Sequence, residues 1–373
     1  MPIPAGSLPI IDNGRGLSHK RQARSECRQS RAGGSRFMAR YRIILAALAL
    51  AAPGHAIAAT GAGCAAATAY SDSRRGLSVL VLQNGAIVCD THKGAAEEAY
   101  ELWSGTKSFV GIIAAAAVQD GLLTLDEPVA ATIREWSGTP LKKDVTLRHL
   151  LSMTGGQVSA IGKPPTYAEA AAQDLVAAPG TEFHYGPAPM QLFGEILRRK
   201  LVAAGRPGDI ETYVGDRILK PLGMSVAQWR RGADGNPLLP QGMVLTAREW
   251  AKFGEFIRAG GTKDGKSLVD PVAFAELFKG SKANPGYGLT WWLPHIAPGA
   301  DPVTASTDIG RRAAELPRDL VLAAGAGDQR LYVIPSRGLV IVRQARLDLA
   351  ALGPGADPAT KWSDADFLRL LLD

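Results

Sequence analysis

The sequence predicts an α+β protein in which strands from both ends of the chain form one antiparallel sheet. Helices flank this sheet, and a helical lobe is inserted in the middle of the chain. Two hairpin signals predict the sheet, one near residue 84 and one near residue 336, and mainly helical patterns fill the residues between them. Strand pairs near both ends with helices between them favour a single sheet built from both ends of the chain.

The first hairpin is marked by an Asn-Gly pair. Apolar runs at Leu77 to Leu82 and Ala86 to Asp90 lie on either side of Asn84-Gly85. This dipeptide is the strongest short-range hairpin signal, because both of its residues tolerate positive φ. A second hairpin is predicted over Arg330 to Arg343, with its turn at Pro335 to Gly338.

Between the hairpins, the strongest helix signal lies shortly after residue 104. Gly121 is expected to end this helix. Thr146 can cap a helix over 147–153, and further amphipathic runs cover 189–202 and 247–259. The first helix is identified by five apolar residues with the i, i+3, i+4, i+7, i+8 spacing of one helix face, namely Val110, Ile113, Ala114, Ala117 and Val118.

Composition and charge exclude several classes of protein. The 373 residues are 46% apolar and 21% charged, which is typical of a folded soluble protein. The net charge is +7, but residues 1–58 contain nine Lys/Arg and two Asp/Glu, which leaves 33 residues of each sign in 59–373. A basic footprint for nucleic acid or for a membrane surface therefore has no compositional support, and no nucleic-acid partner is expected.

A segment beginning at Met38 has the pattern of a secretory signal peptide. Met38 to Arg42 is positively charged, 43–52 is apolar, and Ala56 and Ala58 are the small residues that a signal peptidase requires. We expect cleavage after Ala58, export to the periplasm or the medium, and a true start downstream of residues 1–37. The apolar run is about half of the roughly 20 residues that span a bilayer, so no stable membrane anchor is expected.

Cysteine usage fits an oxidising compartment. After cleavage only Cys64 and Cys89 remain, and such a pair can form one disulfide. We therefore predict a Cys64–Cys89 disulfide, with two buried free thiols as the alternative. The Ala/Gly-rich stretch 58–69 is expected to be a flexible N-terminus of the mature chain.

Several common site motifs are absent from the sequence. There is no H-E-x-x-H, C-x-x-C or G-x-S-x-G, and the histidines have no metal-ligand spacing, so neither a metal nor an organic cofactor is expected. Gly260 to Ser267 matches the phosphate-loop pattern G-x-x-x-x-G-K-S. A phosphate loop, however, follows a strand and opens into a helix. Because a helical run precedes this segment, we interpret it as a polar connecting loop.

The most informative segment is Ser104-Gly-Thr-Lys107, at the start of the strongest predicted helix. Residues three apart lie on the same side of a helix, so the Lys107 ammonium can reach the Ser104 hydroxyl. A serine attacks carbonyls poorly without a base, and a lysine desolvated among apolar neighbours can have a pKa low enough to act as that base. Alone the pattern is weak, because Ser104 is also an ordinary helix cap.

The rest of the sequence strengthens the hypothesis that Ser104 is a nucleophile. Six segments carry this support: Ser104 to Phe109, Ala117 to Val129, Val145 to Gly155, Pro179 to Pro187, Tyr287 to Trp292 and Gly325 to Pro335. In order and spacing these segments closely resemble the class C β-lactamase-like serine hydrolases. These hydrolases are relatives of penicillin-binding proteins and include D,D-peptidases, esterases and nylon-oligomer hydrolases, and S-x-x-K is one of their motifs. The resemblance runs from about residue 75 to 372.

The resemblance implies a β-lactamase/transpeptidase-like fold for one domain over 59–373. The sheet lobe is expected at about 70–120 and 286–373, and the helical lobe at about 121–285. The last two of the six segments resemble C-terminal sheet strands of the family.

The resemblance also implies roles for individual residues. Ser104 is the nucleophile, Lys107 its base or proton relay, and Tyr185 the group that exchanges protons with the nucleophile and the leaving group. The Ser104 amide and an amide near Gly325 and Ala326 form the oxyanion hole.

Two departures from the family pattern affect substrate binding. Pro187 stands where the family often has Asn, and proline offers no side-chain hydrogen bond. Ala323-Ala324-Gly325 stands where a Lys-Thr-Gly or His-x-Gly motif usually supplies a cation. Arg330 on the next strand can replace that cation only if it faces the site, and the sequence does not show which face it occupies.

The expected function is an exported serine hydrolase that cleaves a small-molecule ester or amide through an acyl-enzyme on Ser104, without a cofactor. A β-lactamase or D,D-carboxypeptidase is the alternative enzyme, disfavoured by Pro187 and Ala323. A non-catalytic envelope binding protein of the same fold is the alternative from another class, disfavoured because Ser104, Lys107 and Tyr185 are all retained. The sequence identifies neither the substrate nor the oligomeric state.

Overall fold

The computed structural model describes residues 61–295, 307–350 and 357–373. The predicted signal peptide and its cleavage site at Ala58 lie outside the described residues. The helices are α1 (Gly61–Asp72), α2 (Lys107–Gln119), α3 (Leu147–Leu151), α4 (Tyr167–Ala172), α5 (Ala188–Ala203), α6 (Ile210–Val214), α7 (Ala247–Arg258), α8 (Pro271–Glu276) and α9 (Asp364–Leu372). The strands are β1 (Gly76–Gln83), β2 (Ala86–His92), β3 (Tyr100–Glu101), β4 (Gln228–Trp229), β5 (Met243–Leu245), β6 (Thr262–Lys263), β7 (Lys266–Ser267), β8 (Val321–Gly325), β9 (Gln329–Ile334) and β10 (Leu339–Ala345). No helix in the described part of the chain has the length and apolarity to cross a membrane.

Five strands form the main antiparallel sheet, in the order β2-β1-β10-β9-β8. Strand β1 pairs with β10, so strands from the two ends of the chain meet inside the sheet. The predicted fold class and both predicted hairpins are therefore confirmed. Asn84 and Gly85 have φ values of 49° and 81°, which is the conformation that makes an Asn-Gly pair favourable in a two-residue hairpin turn.

Helices cover both faces of this sheet. On one face, the Tyr332 ring of β9 lies 5.9 Å from the Phe367 ring of α9. On the other face, α7 packs so closely that a Cβ on Gly254 would clash with Val340 and Leu331. From the sequence, α7 was predicted to belong to the helical lobe, because helical periodicity reveals an apolar face without revealing its partner.

From Gly61 onward the N-terminal stretch expected to be flexible is instead helix α1, so the prediction was wrong for these residues; residues 58–60 lie outside the described part of the chain. Tyr70 of α1 packs against Trp362 and Phe367, with ring centroids 5.3 Å and 6.4 Å apart. Cys64 and Cys89 form a disulfide with a Cα–Cα distance of 5.6 Å, which links α1 to β2. Alanine is the best helix former, and these long-range anchors, which composition does not show, hold the Ala-rich segment in place.

The segment that matches the phosphate-loop pattern joins α7 to α8 and contains the two-stranded hairpin β6-β7. Asp264 and Gly265 at its tip have φ values of 50° and 74°. Because a helix precedes this segment and none begins at Lys266, it lacks the strand-to-helix turn that cradles a phosphate. The interpretation as a connecting loop is confirmed, with a tight hairpin as its core.

Candidate active site

Ser104 lies in a single 3-10 turn, Trp103–Thr106, that leads directly into α2. The Leu102 amide donates a 2.9 Å hydrogen bond to the Met243 carbonyl, which ties this turn to β5. Trp103 has a φ of 50°, a left-handed conformation that bulky residues adopt only when their surroundings enforce it. The backbone that carries Ser104 is therefore held by β5 on its N-terminal side and by α2 on its C-terminal side.

Lys107 is held against Ser104. Its Nζ donates hydrogen bonds of 2.9 Å to Ser104 Oγ and 2.9 Å to the Pro240 carbonyl. The residue is 4% exposed, and among the described residues its Nζ meets a hydroxyl and a carbonyl rather than a carboxylate. Burial lowers the pKa of Lys107 to about 7, because a charged ammonium without a counter-ion is disfavoured away from water. A large share of Lys107 is therefore an uncharged amine at neutral pH.

Tyr185 lies on the other side of the same pair. Lys107 Nζ is 4.9 Å from the centroid of its ring, and the Ser104 hydroxyl is close enough to lower the pKa of its phenol. Burial raises the pKa of Tyr185 to about 12, and the Ser104 side chain and the charge of Arg330 offset only part of that rise. Tyr185 is therefore protonated at neutral pH. The structure thus brings together all three side chains singled out from the sequence.

Three further aromatic side chains surround Tyr185, and none of them was predicted to be a site residue. The centroids of Phe183, Tyr287 and Trp292 lie 6.4, 6.0 and 5.5 Å from that of Tyr185. The segment carrying Tyr287 and Trp292 was expected to be a strand, but it makes only isolated bridges, one of them between Trp292 and Leu322 of β8. The aromatic residues of the two motif segments were the only sequence signal for this cluster, which fixes the orientation of the Tyr185 ring.

The end of β8 lies directly against the Ser104 turn. A Cβ on Gly325 would clash with the Leu102 carbonyl oxygen and come within 3.1 Å of the Gly105 amide nitrogen. Among the described residues, neither the Ser104 amide nor the Ala326 amide has a hydrogen-bond partner. These are the two amides that the resemblance assigns to the oxyanion hole.

The comparisons with known proteins identify the family of the chain. The family model described as Beta-lactamase matches residues 37–358. The chain belongs to the beta-lactamase family. Members of this family with this fold are serine hydrolases.

Three proteins similar to this beta-lactamase family member have low sequence identity to it. An uncharacterised protein of Alkalihalophilus pseudofirmus is 24% identical over 304 residues, which cover 72% of this chain and 83% of that protein. A putative beta-lactamase from Bacteroides dorei superposes with a TM-score of 0.63 at 17% identity, covering 83% of this chain and 96% of the other. The hydrolase EstCE1 superposes with a TM-score of 0.59 at 18% identity, covering 83% and 97%. The likenesses to the two solved structures confirm the expected fold.

The register of β8 settles which face of the sheet Arg330 occupies. Ala324 pairs with Arg330, whereas Ala323 pairs with Leu331, so Ala323 and Gly325 share the face toward Ser104. Arg330 lies on the opposite face, where its Nε donates a 2.6 Å hydrogen bond to Asp364 Oδ1. Arg330 therefore does not replace the cation that the usual family motif carries at the position of Ala323.

Pro187, the other departure from the beta-lactamase family pattern, lies immediately before α5. Ser159 from the preceding loop accepts a 3.0 Å hydrogen bond from the Ala188 amide, and its Oγ would lie 2.5 Å from a Cβ on Gly186. This contact fixes the backbone after Tyr185 without supplying the side-chain amide that Asn provides. In the described ranges, no group of three or more His, Cys, Asp or Glu is arranged to hold a metal ion.

Proposed function

We propose that this protein is a serine hydrolase that cleaves an ester or a small amide through an acyl-enzyme on Ser104. The observation that carries the proposal is the 2.9 Å hydrogen bond between Ser104 and a buried Lys107, whose other hydrogen-bond partner among the described residues is the Pro240 carbonyl and not a carboxylate. A nucleophile paired with a base of lowered pKa is the arrangement that covalent catalysis by serine requires.

The protonation states of Lys107 and Tyr185 suggest how the first step proceeds. The neutral amine of Lys107 takes the proton of Ser104 while Oγ forms a bond to the substrate carbonyl carbon. The carbonyl oxygen becomes negatively charged and is stabilised by the amides of Ser104 and Ala326. Tyr185, which is protonated, donates its proton to the leaving group and recovers one from the Lys107 ammonium.

Deacylation follows the same path in reverse. The oxygen of a water molecule attacks the acyl carbon while the water gives a proton to the Lys107 and Tyr185 pair. The same pair then gives a proton to Ser104 Oγ as its bond to the acyl carbon breaks. The net reaction adds one water molecule across the ester or amide bond and restores every protein group.

The side chains near the site favour a neutral substrate. A carboxylate brought into a buried cleft without a partner is strongly disfavoured. The Ala323 side chain provides no charge where the family pattern has Lys or His, and the Pro187 side chain provides no hydrogen bond where the pattern has Asn. A β-lactamase or D,D-carboxypeptidase therefore remains the second candidate. A non-catalytic binding protein of this fold would have no need of a deprotonated Lys107 beside Ser104.

A substrate panel tests the proposal. We expect a short-chain p-nitrophenyl ester to give a burst of about one p-nitrophenol per Ser104, followed by slower turnover. Nitrocefin, D-alanyl dipeptides and aminohexanoate dimers in the same assay distinguish the alternative enzymes. Absence of turnover on every substrate, together with absence of a covalent adduct on Ser104, would support the non-catalytic alternative.

The pH dependence of kcat/KM follows from the pKa of Lys107, which is about 7. Lys107 is protonated and inactive as a base below this value and neutral above it, so kcat/KM should rise about tenfold from pH 6 to pH 8 and then level off. Tyr185 should stay protonated across this range, because its pKa is about 12. Initial rates with a neutral ester, with the melting temperature recorded at each pH, measure the profile. A midpoint near the ordinary lysine pKa would exclude Lys107 as a lowered-pKa base.

We also propose that the protein is exported, with cleavage after Ala58. The signal-like segment beginning at Met38 and the Cys64–Cys89 disulfide support this proposal, since disulfides persist in oxidising compartments. Mass spectrometry of protein isolated from the native envelope is expected to find a chain that begins at Ala59. Retention of residues 1–37 would contradict both the cleavage site and the assignment of the start.

A further inference from the structure

A buried arginine contacts the backbone next to the predicted oxyanion amide. Nη1 of Arg330 donates a 3.3 Å hydrogen bond to the Gly325 carbonyl oxygen, and that carbonyl belongs to the same peptide unit as the Ala326 amide. We propose that Arg330 is a positioning residue that aims the Ala326 N–H at the carbonyl oxygen of the substrate. This inference rests on the proposed hydrolase function and adds to it a residue that touches no substrate.

Because the peptide between Gly325 and Ala326 is planar, the direction of the Gly325 carbonyl determines the direction of the Ala326 N–H. In a trans peptide the carbonyl and the amide N–H point in opposite directions. Arg330 is on β9, the sheet neighbour of β8, and among the described strands β8 is the last one on its side of the sheet. A Gly325 carbonyl held toward β9 therefore turns the Ala326 N–H toward the outer edge of β8, where Gly325 meets the Ser104 turn.

Arg330 is itself held firmly in place. It is 1% exposed, and its Nε donates a 2.6 Å hydrogen bond to Asp364 Oδ1 at the start of α9. The same guanidinium reaches the Gln329 carbonyl at 3.1 Å and Asp328 Oδ1 at 3.3 Å. The planar guanidinium thus donates to a carboxylate from one nitrogen and to the Gly325 carbonyl from another. A lysine ammonium cannot reproduce this geometry.

Stability alone does not account for this buried ion pair. Removing two charges from water costs about as much free energy as their attraction returns, so such a pair is weak evidence for stabilisation of the fold. A guanidinium bonded to a carbonyl also polarises the peptide and makes its N–H a better donor. The charge of Arg330 reaches the reacting groups, since it lowers the pKa of Tyr185 in opposition to burial.

The decisive experiment uses Arg330→Lys, which keeps the positive charge but loses the planar guanidinium that bonds the Asp364 carboxylate and the Gly325 carbonyl at the same time. On a neutral p-nitrophenyl ester, we expect kcat/KM to fall about 10- to 100-fold while KM changes less than about 3-fold, because misplacing one donor affects the transition state. Phenylboronic acid forms a tetrahedral adduct with a serine and places an oxygen in the oxyanion hole. Its inhibition constant should rise by the same factor as kcat/KM falls.

A matched control separates positioning from packing. Tyr332 donates a 2.6 Å hydrogen bond to the same Asp364 oxygen from the same strand as Arg330, two residues further on. Tyr332→Phe removes that bond without touching Gly325, so it should lower the melting temperature and leave kcat/KM and boronate inhibition unchanged. A purely structural Arg330 would behave in the same way as this control.

Each outcome has a defined meaning. A folded Arg330→Lys with wild-type kcat/KM and wild-type boronate inhibition overturns the inference, as does a change in KM alone. If Arg330→Lys does not fold, Asp364→Asn keeps the acceptor oxygen but weakens the anchor, and both readouts should then change by about 3- to 10-fold; no change in either overturns the inference. A wild-type protein that neither turns over esters nor forms a Ser104 adduct overturns the proposed function, and the inference with it.

Discussion

Ser104→Ala is expected to abolish covalent labelling by a fluorophosphonate, because it removes the hydroxyl that is hydrogen-bonded to Lys107 Nζ. Lys107→Ala and Tyr185→Phe should each slow labelling by at least about 100-fold, the usual contribution of a general acid or base. Lys107→Ala removes the group 2.9 Å from Ser104 Oγ that can accept its proton. Intact-mass time courses at one probe concentration measure all three rates.

Two controls match these substitutions elsewhere in the fold. Ser108→Ala removes a buried hydroxyl of α2 that donates a 2.7 Å hydrogen bond to the Gly105 carbonyl. Lys142→Ala removes a buried lysine that pairs with Asp174 at 3.0 Å. Both variants should label at nearly the wild-type rate. A wild-type rate in Ser104→Ala, Lys107→Ala or Tyr185→Phe would contradict the assignment of that residue.

Ala323→Lys should change the preference of the enzyme for charged substrates. Ala323 faces the same side of the sheet as Gly325, so a lysine there extends toward the Ser104 turn. A hydrogen-bonded cationic contact is worth about 1.5–3 kcal/mol, so kcat/KM for nitrocefin should rise roughly 10- to 150-fold. The value for a neutral p-nitrophenyl ester should change little, and the ratio of the two is the quantity to measure.

Ala323→Met is the control for this second prediction, since it adds similar length without charge. It should leave the ratio of nitrocefin to ester turnover near the wild-type value. If the wild type already hydrolyses nitrocefin as efficiently as a dedicated β-lactamase, the role given to the missing cation is wrong. An equal gain in Ala323→Met and Ala323→Lys would show that size, and not charge, limits β-lactam turnover.

Local signals in the sequence were sufficient to predict part of the fold and part of the candidate site. The Asn84-Gly85 turn depends on two adjacent residues, and Ser104 and Lys107 are one helical turn apart, so both follow from short-range stereochemistry. The face of Arg330 depends on how β8 and β9 align, and strand alternation alone leaves two choices. The helix at Gly61–Asp72 depends on contacts with residues about 300 positions later, such as Trp362, which no local pattern contains.

The pairing of β1 with β10 also determines when this domain can fold. Leu80 lies opposite Val342 in the finished sheet, so the central strand pair cannot form on the ribosome until the second hairpin has been synthesised. Contacts that close so long a loop form slowly, because much chain entropy must be lost before they are made. Until then, one edge of the apolar strand β1 lacks its partner and is open to association with other chains. Gly325 reaches the Ser104 turn only when these last strands dock, so the onset of catalysis would report the completion of folding.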